Sequence, residues 1–272
     1  MNQFHPLQVR ADRWLQAIDD FHASSSQLPL PGSARAADFG KIQDTLDPAY
    51  TASGKLLAAH DAARALSLLW NEGHVHNVAD YALLRTIIEC AGSAWWILEE
   101  HTARSRFVRA YVIARDDLES ARRRETQAVR YARTEKGRTK RTAVRNRLDK
   151  LITRSQKAIA AAGYSDEPVV QKWARFDLTE TVLKGAQERL KQPDLSFTLA
   201  WSLLSSLGHG SLTSIVGFAD TTPPDNSEVP QRFIGTNPDS VEDLAAAVDV
   251  LFQAANREWF RYSDSVLLPS RS

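Results

Sequence analysis

The chain of 272 residues holds a single cysteine, Cys90, and a single methionine. One cysteine closes no internal bridge, so a disulfide scaffold is excluded and nothing calls for an oxidising compartment. No apolar run approaches the ~20 residues of a membrane helix, and no N-terminal stretch joins positive charge to an apolar segment. A cytoplasmic protein without membrane contact is the expectation. The phosphate-loop, dinucleotide-binding and nucleophile-elbow patterns do not occur. Neither does Glu-x-x-His, which a ferritin-like di-iron site needs. No cofactor and no metal site are expected. Hydrophobic residues at 43% and charged residues at 25% exclude a disordered or fibrous chain.

What is present is unevenly spread. The formal net charge is only +1. Residues 104–157, however, carry 18 Lys/Arg against 6 Asp/Glu, while residues 1–103 carry 7 against 12 and residues 158–272 carry 9 against 15. Apparent neutrality is therefore one basic segment set between two acidic, apolar-rich ones.

Helical periodicity runs through most of the chain. Leu7, Trp14, Leu15, Ile18 and Phe21 define a helix over 7–23, and the Ser/Pro/Gly stretch 24–33 reads as a loop. Asp47-Pro48 is a helix start, with Asp capping and Pro in the first turn, and Gly73 is its stop near Trp70. Residues 77–101 form the most apolar helix, with Leu84, Ile87, Ile88, Ala91, Trp95 and Leu98 on one face. From 102 to 162 no proline interrupts, and two long helices over 104–134 and 139–162, or one continuous arm, are expected around Gly137. Further helices are predicted from Ser165 to Leu190, from Pro193 to Phe218, and from a capping box at Asp239/Glu242 to Val266. Residues 219–240 read as irregular, and no strand is predicted. The expected fold is all-α: one domain over 1–272, a multi-helix bundle of about seven helices with a basic helical hairpin or arm at 104–162.

Three groups of residues are candidates for chemistry. Arg85-Thr-Ile-Ile-Glu89 places opposite charges one turn apart on an otherwise apolar helix. Trp201, Ser205 and His209 share a face of a later helix. Gly208 and Gly210 there imply a close backbone approach or a break. A Glu89–His209 contact across the bundle would make His209 an acid/base, Glu89 its orienting group and Arg85 or Arg109 the phosphate holder, with His209, Glu89 and Arg85 as the catalytic trio. The basic segment is the third group. Arg122, Arg123, Arg124, Arg138, Lys140, Arg141, Arg145 and Arg147 are the candidate nucleic-acid contacts, with counterion release as the driving force. His60-Asp61 and His74-Val-His76 are weaker metal-like pairs, and Cys90 sits among apolar neighbours as a packing residue.

Arg85/Glu89 with Trp95-Trp96, then Arg104, Arg106 and Arg109, then Ser205/His209-Gly210 resemble the pattern of a group of all-helical bacterial proteins frequent in actinobacteria. That group looks distantly like the HEPN (higher eukaryotes and prokaryotes nucleotide-binding) helical domains, many of which are ribonucleases or their inactive relatives. Such enzymes carry Arg and, four to six residues later, His on one helix; here Arg85 is followed by Glu89. The resemblance covers roughly residues 50–115 and 195–218. It implies a helical fold more than any chemistry; Arg106 and Arg109 are the candidate phosphate-binding residues.

Three functions follow as expectations. The first is a helical module that binds a nucleic acid, RNA before DNA, or another partner through its basic arm, in a stress or phage-defence setting. The second is an enzyme, a HEPN-like ribonuclease or other phosphate-processing hydrolase. The third is a structural homodimer in which basic helices meet the partner's acidic flanks.

Overall fold

The computed structural model describes residues 5–25, 27–38, 47–76, 78–172, 177–190, 196–211, 219–222, 233–236 and 238–264. Among them ten helices run in order: α1 His5–Ser25, α2 Ala34–Asp38, α3 Pro48–Asn71, α4 Ala79–Leu98, α5 Ala103–Arg130, α6 Glu135–Ala161, α7 Pro168–Lys172, α8 Leu178–Leu190, α9 Phe197–Gly208 and α10 Pro238–Asp264. The fold is all-α, as the periodicity predicts. A short antiparallel hairpin, β1 Ala219–Thr222 with β2 Phe233–Thr236, lies in the segment expected to be irregular. None of the helices is long and apolar enough to cross a membrane, among the described residues.

Helix α4 is the centre of the bundle, and α3, α5, α8, α9 and α10 all pack on it. Its sequence explains the position. Leu84, Ile87, Ile88, Ala91, Trp95 and Leu98 are all buried. Each buried Leu or Ile among them contributes ~1.5–3 kcal/mol relative to exposure. A second layer joins α1, α3 and α10. There Trp14 lies 5.4 Å from Trp70 and 5.5 Å from Phe252, centroid to centroid. Asp249 of α10 fastens this layer by accepting from Arg10 Nη1 at 2.7 Å and from Trp14 Nε1 at 2.8 Å.

Several boundaries depart from expectation, each for a local reason. Between α5 and α6 the chain breaks at Tyr131–Thr134, not at Gly137. Thr134 Oγ1 accepts from the Gly137 amide at 3.1 Å and caps the new helix, which places Gly137 in its first turn. The single helix predicted over 165–190 is two, because Asp177 Oδ1 accepts from the Glu180 amide at 3.0 Å and starts α8. The loop at 24–33 is followed by an unpredicted short helix, α2, where the Ser33 hydroxyl accepts from the Ala36 amide. Helix α10 begins at Pro238, ahead of the expected cap, as proline's fixed φ suits the first turn. Glu242 pairs with Arg10 of α1. Pro193, Asp194, residues 212–218 and the end predicted at Val266 lie outside the described residues.

Helices α5 and α6 form an antiparallel hairpin. Glu125 pairs with Arg141 at 3.0 Å near the tip, and Arg115 Nη1 donates to the Ile152 carbonyl at 3.3 Å nearer the base. The base is buried on the bundle through Val108, Tyr111, Val112 and Ile113 of α5 and Ile159 of α6. From Ser120 to Lys150 no residue is buried.

Candidate functional site

The residues expected to meet across the bundle do meet, in a different arrangement. On α4, Arg85 Nε donates to Glu89 Oε1 at 2.9 Å. Trp201 Nε1, from α9, donates to the same carboxylate oxygen at 2.7 Å. Arg85 Nη1 then reaches Nε2 of His209 at 2.8 Å. A guanidinium only donates, so Nε2 of His209 accepts through its lone pair and the ring proton sits on Nδ1. The expected Glu89–His209 contact is replaced by a chain in which Arg85 stands between the two. The reason is reach: Glu89 is already held by Arg85 and Trp201, and Arg85 extends its free nitrogen past it. Arg85 and Glu89 are half-buried, with side chains 28% and 32% exposed, and His209 faces solvent.

Glycine brings His209 to this place. A Cβ on Gly208 would stand 3.3 Å from the Ala82 Cα, a tight contact against backbone that glycine avoids as α9 approaches α4. Gly210 has φ +72° and ends the helix immediately after His209. Both compensations implied by the sequence are present, a close approach and a break.

Arg106 and Arg109 are placed inside the protein. Arg106 makes a bidentate pair with Asp38 at 2.7 and 2.9 Å, and donates to the Glu100 carbonyl at 2.9 Å. Both partners are almost fully buried, and Tyr262 Oη donates to the same carboxylate at 3.2 Å. Arg109 pairs with Glu99 and Glu100, donates to the Trp96 carbonyl and lies over the Trp96 ring. Arg189 of α8 closes this network on the same two carboxylates. In this geometry their guanidiniums serve the fold, which leaves neither an open face for phosphate.

The basic hairpin residues divide by direction. Arg122 pairs with Glu119 at 2.8 Å, Arg138 with Glu135 at 3.5 Å and Arg141 with Glu125, while Arg123 donates to the Ser120 hydroxyl and Arg145 to the side-chain Oδ1 of Asn146. Arg124, Lys140 and Arg147 are exposed and carry no ion pair among the described residues. A concavity of about 620 Å³ lies along the C-terminal half of α6, lined by Asp149, Lys150, Thr153, Arg154 and Lys157. Lys150 and Lys157 were not among the residues expected to contact nucleic acid. Their spacing is visible in the sequence, but the side of α6 that α5 covers is not.

Two further features were not anticipated. A groove of about 600 Å³ opens between the bundle and the hairpin base, lined by Tyr50, Leu57, Cys90, Leu118 and Leu151, with Lys55 and Asp117 paired at its rim. Burial pushes the Cys90 thiol up, which keeps it a weak nucleophile. His60 is buried beside Phe21 and Phe252, and its Nε2 donates to Asn256 Oδ1 at 3.0 Å. Its Nδ1 is buried without a hydrogen-bond partner. His76 Nδ1 meets Asp80 at 3.2 Å. Among the described residues no group of three His, Cys, Asp or Glu side chains is arranged to hold a metal ion.

No family model, no curated protein and no solved structure matches the chain.

Proposed function

We propose that the protein binds nucleic acid through the outward side of the α5–α6 hairpin. The observation that carries this reading is the direction of the charges. Carboxylates of the hairpin, Glu119, Glu125 and Glu135, are taken up by Arg122, Arg141 and Arg138. Lys140 and Arg147 point to solvent with no acid beside them among the described residues. Exposed cations on a stretch with no buried residue present a positive field to a phosphate backbone at little structural cost.

The test is binding of the full-length protein to a panel of RNA and DNA, duplex and single-stranded, by fluorescence anisotropy. Binding at ~50 mM salt that weakens steeply by ~200 mM supports the reading. No binding to any member of the panel at low salt overturns it.

The Arg85–His209 contact favours a second reading, an anion-holding site at the α4–α9 edge. There the His209 Nδ1–H and the remaining Arg85 donors would take a phosphoryl oxygen. Arg85 occupies the His209 lone pair, so this arrangement suits holding charge better than removing a proton. Titration with inorganic phosphate against the His209→Ala variant, followed through imidazole NMR signals, tests it. An unchanged spectrum rejects the site.

A further inference from the structure

From the geometry we infer that the partner of this hairpin is a double-stranded nucleic acid held by its backbone along one straight row of cations on α6. The inference rests on the nucleic-acid reading above and narrows it. In a helix of 3.6 residues per turn, positions three and four apart share a face. Lys136, Lys140, Arg147, Lys150 and Lys157 follow that step, with Ala143 and Arg154, which holds an interaction of its own, in the two remaining places. All five of these cations are exposed. Ile152, Ser155 and Ile159, the buried residues of α6, lie on the opposite side, toward α5. The row therefore faces away from the helix that supports it, and no carboxylate shares its 3–4 step.

Length and composition choose between duplex and single strand. Positions 136 to 157 span about 32 Å at 1.5 Å per residue. That is close to the ~34 Å of one duplex turn. Single-strand binders stack bases on aromatic rings. Residues 136–157 contain no Phe, Trp or Tyr. Without stacking, a flexible strand must be straightened along the row at an entropic cost. A duplex is already stiff over ~150 base pairs and needs no ordering. Along the same length it also presents twice as many phosphates per ångström as either strand alone. Contacts of this kind are blind to base sequence.

The flank of α6 supplies the control. Arg138, Arg141 and Arg145 belong to the same basic helix but lie off the row, and the first two already hold Glu135 and Glu125.

The experiment compares a duplex of about 20 base pairs, as RNA and as DNA, with each of its separate strands at ~50 mM salt. It uses the full chain and two variants. The row variant combines Lys140→Glu, Arg147→Glu, Lys150→Glu and Lys157→Glu. The flank variant combines Arg138→Gln, Arg141→Gln and Arg145→Gln. Circular dichroism checks that both remain helical, and a Lys/Arg-exchanged row keeps the charge. The expected result is a duplex bound at least about tenfold tighter than its strands, with the row variant losing that affinity and the exchanged row keeping it. On DNA, the slope of log affinity against log salt falls by about 0.9 for each phosphate that the variant no longer neutralises. The flank variant stays within about threefold of the parent. Equal or tighter binding of a single strand, or duplex binding that survives row reversal, overturns the inference and leaves the broader nucleic-acid reading standing. Absence of all binding removes both.

Discussion

Arg85 of α4 and His209 of α9, 124 positions apart in the chain, meet through Nη1 and Nε2 at 2.8 Å. Because the guanidinium is the donor, the neutral His209 ring carries its proton on Nδ1. Long-range nitrogen–proton NMR at about pH 8, where an ordinary imidazole is neutral, reads the tautomer directly. The Nδ1–H form is expected in the parent and a mixture dominated by Nε2–H in Arg85→Ala. An Nε2–H form in the parent rejects the contact. Loss of the shared acceptor in Glu89→Ala frees both Arg85 and Trp201, and costs about 1–2 kcal/mol in urea unfolding at this half-exposed position.

His60 couples stability to acid. Burial pushes its imidazole down to about 4 from the ordinary 6.5, against the Asn256 hydrogen bond that raises it, with His22 and Arg64 lowering it further. The unfolded chain takes up a proton below about pH 6.5 that the folded ring refuses until about pH 4. The contribution is complete above pH 6.5 and is lost as pH falls to 4, by about 3 kcal/mol. Chemical unfolding measured across that window is expected to show this slope, and His60→Gln to lack it. A variant as acid-sensitive as the parent shows that other groups set the slope.

The Arg106–Asp38 pair is buried on both sides. Replacing either partner strands the other as an uncompensated charge, so Arg106→Ala or Asp38→Ala costs about 3–5 kcal/mol. The double variant Arg106→Met, Asp38→Leu is expected to recover much of that loss. Calorimetric melting of the three variants checks the order. A double variant weaker than both singles shows that the Tyr262 and Glu100 contacts carry the site instead.

Two helical glycines should respond in opposite senses to alanine. Gly54 in α3 has open space where a Cβ would stand, so Gly54→Ala stabilises by about 0.5–1 kcal/mol through helix propensity. At Gly208 the same gain meets the Ala82 backbone at 3.3 Å, and the contact wins. Gly208→Ala is expected to lower the melting temperature and to weaken the Arg85–His209 contact seen by NMR.

The sequence carried the parts that depend on local spacing. The α4 face, the Asp47-Pro48 start of α3 and the strain at Gly208 and Gly210 were all legible, because each is set within one or two turns. The convergence of Arg85, Glu89 and His209 was also legible, since polar groups on two apolar helices have few other places to go. The order of contact within the cluster was not. Whether Glu89 or Arg85 touches His209 depends on Trp201 occupying the carboxylate, and that is decided by the packing of α9. Likewise Arg106 and Arg109 looked available in an Arg-rich turn. Asp38, the partner of Arg106, lies 68 positions away, and Arg109 sits on Glu99 and Glu100 of the preceding turn together with Arg189, 80 positions further on, an arrangement that only the packing of α8 brings about. Charge counting across 104–157 located the basic hairpin but could not say which cations α5 would neutralise.

Asp249 has a consequence for how the chain comes to be folded. It is the acceptor for Arg10 and Trp14 of the first helix, 239 and 235 positions earlier. During synthesis, α1 leaves the ribosome with Arg10 and Trp14 hydrogen-bonded to water, and they exchange it for Asp249 only once α10 follows. At ~5–20 residues per second that interval is tens of seconds at the slower rate. Helix α3 can cover part of the apolar face of α1 early, but the polar fastening of that layer waits for α10, whose arrival also completes the packing on α4.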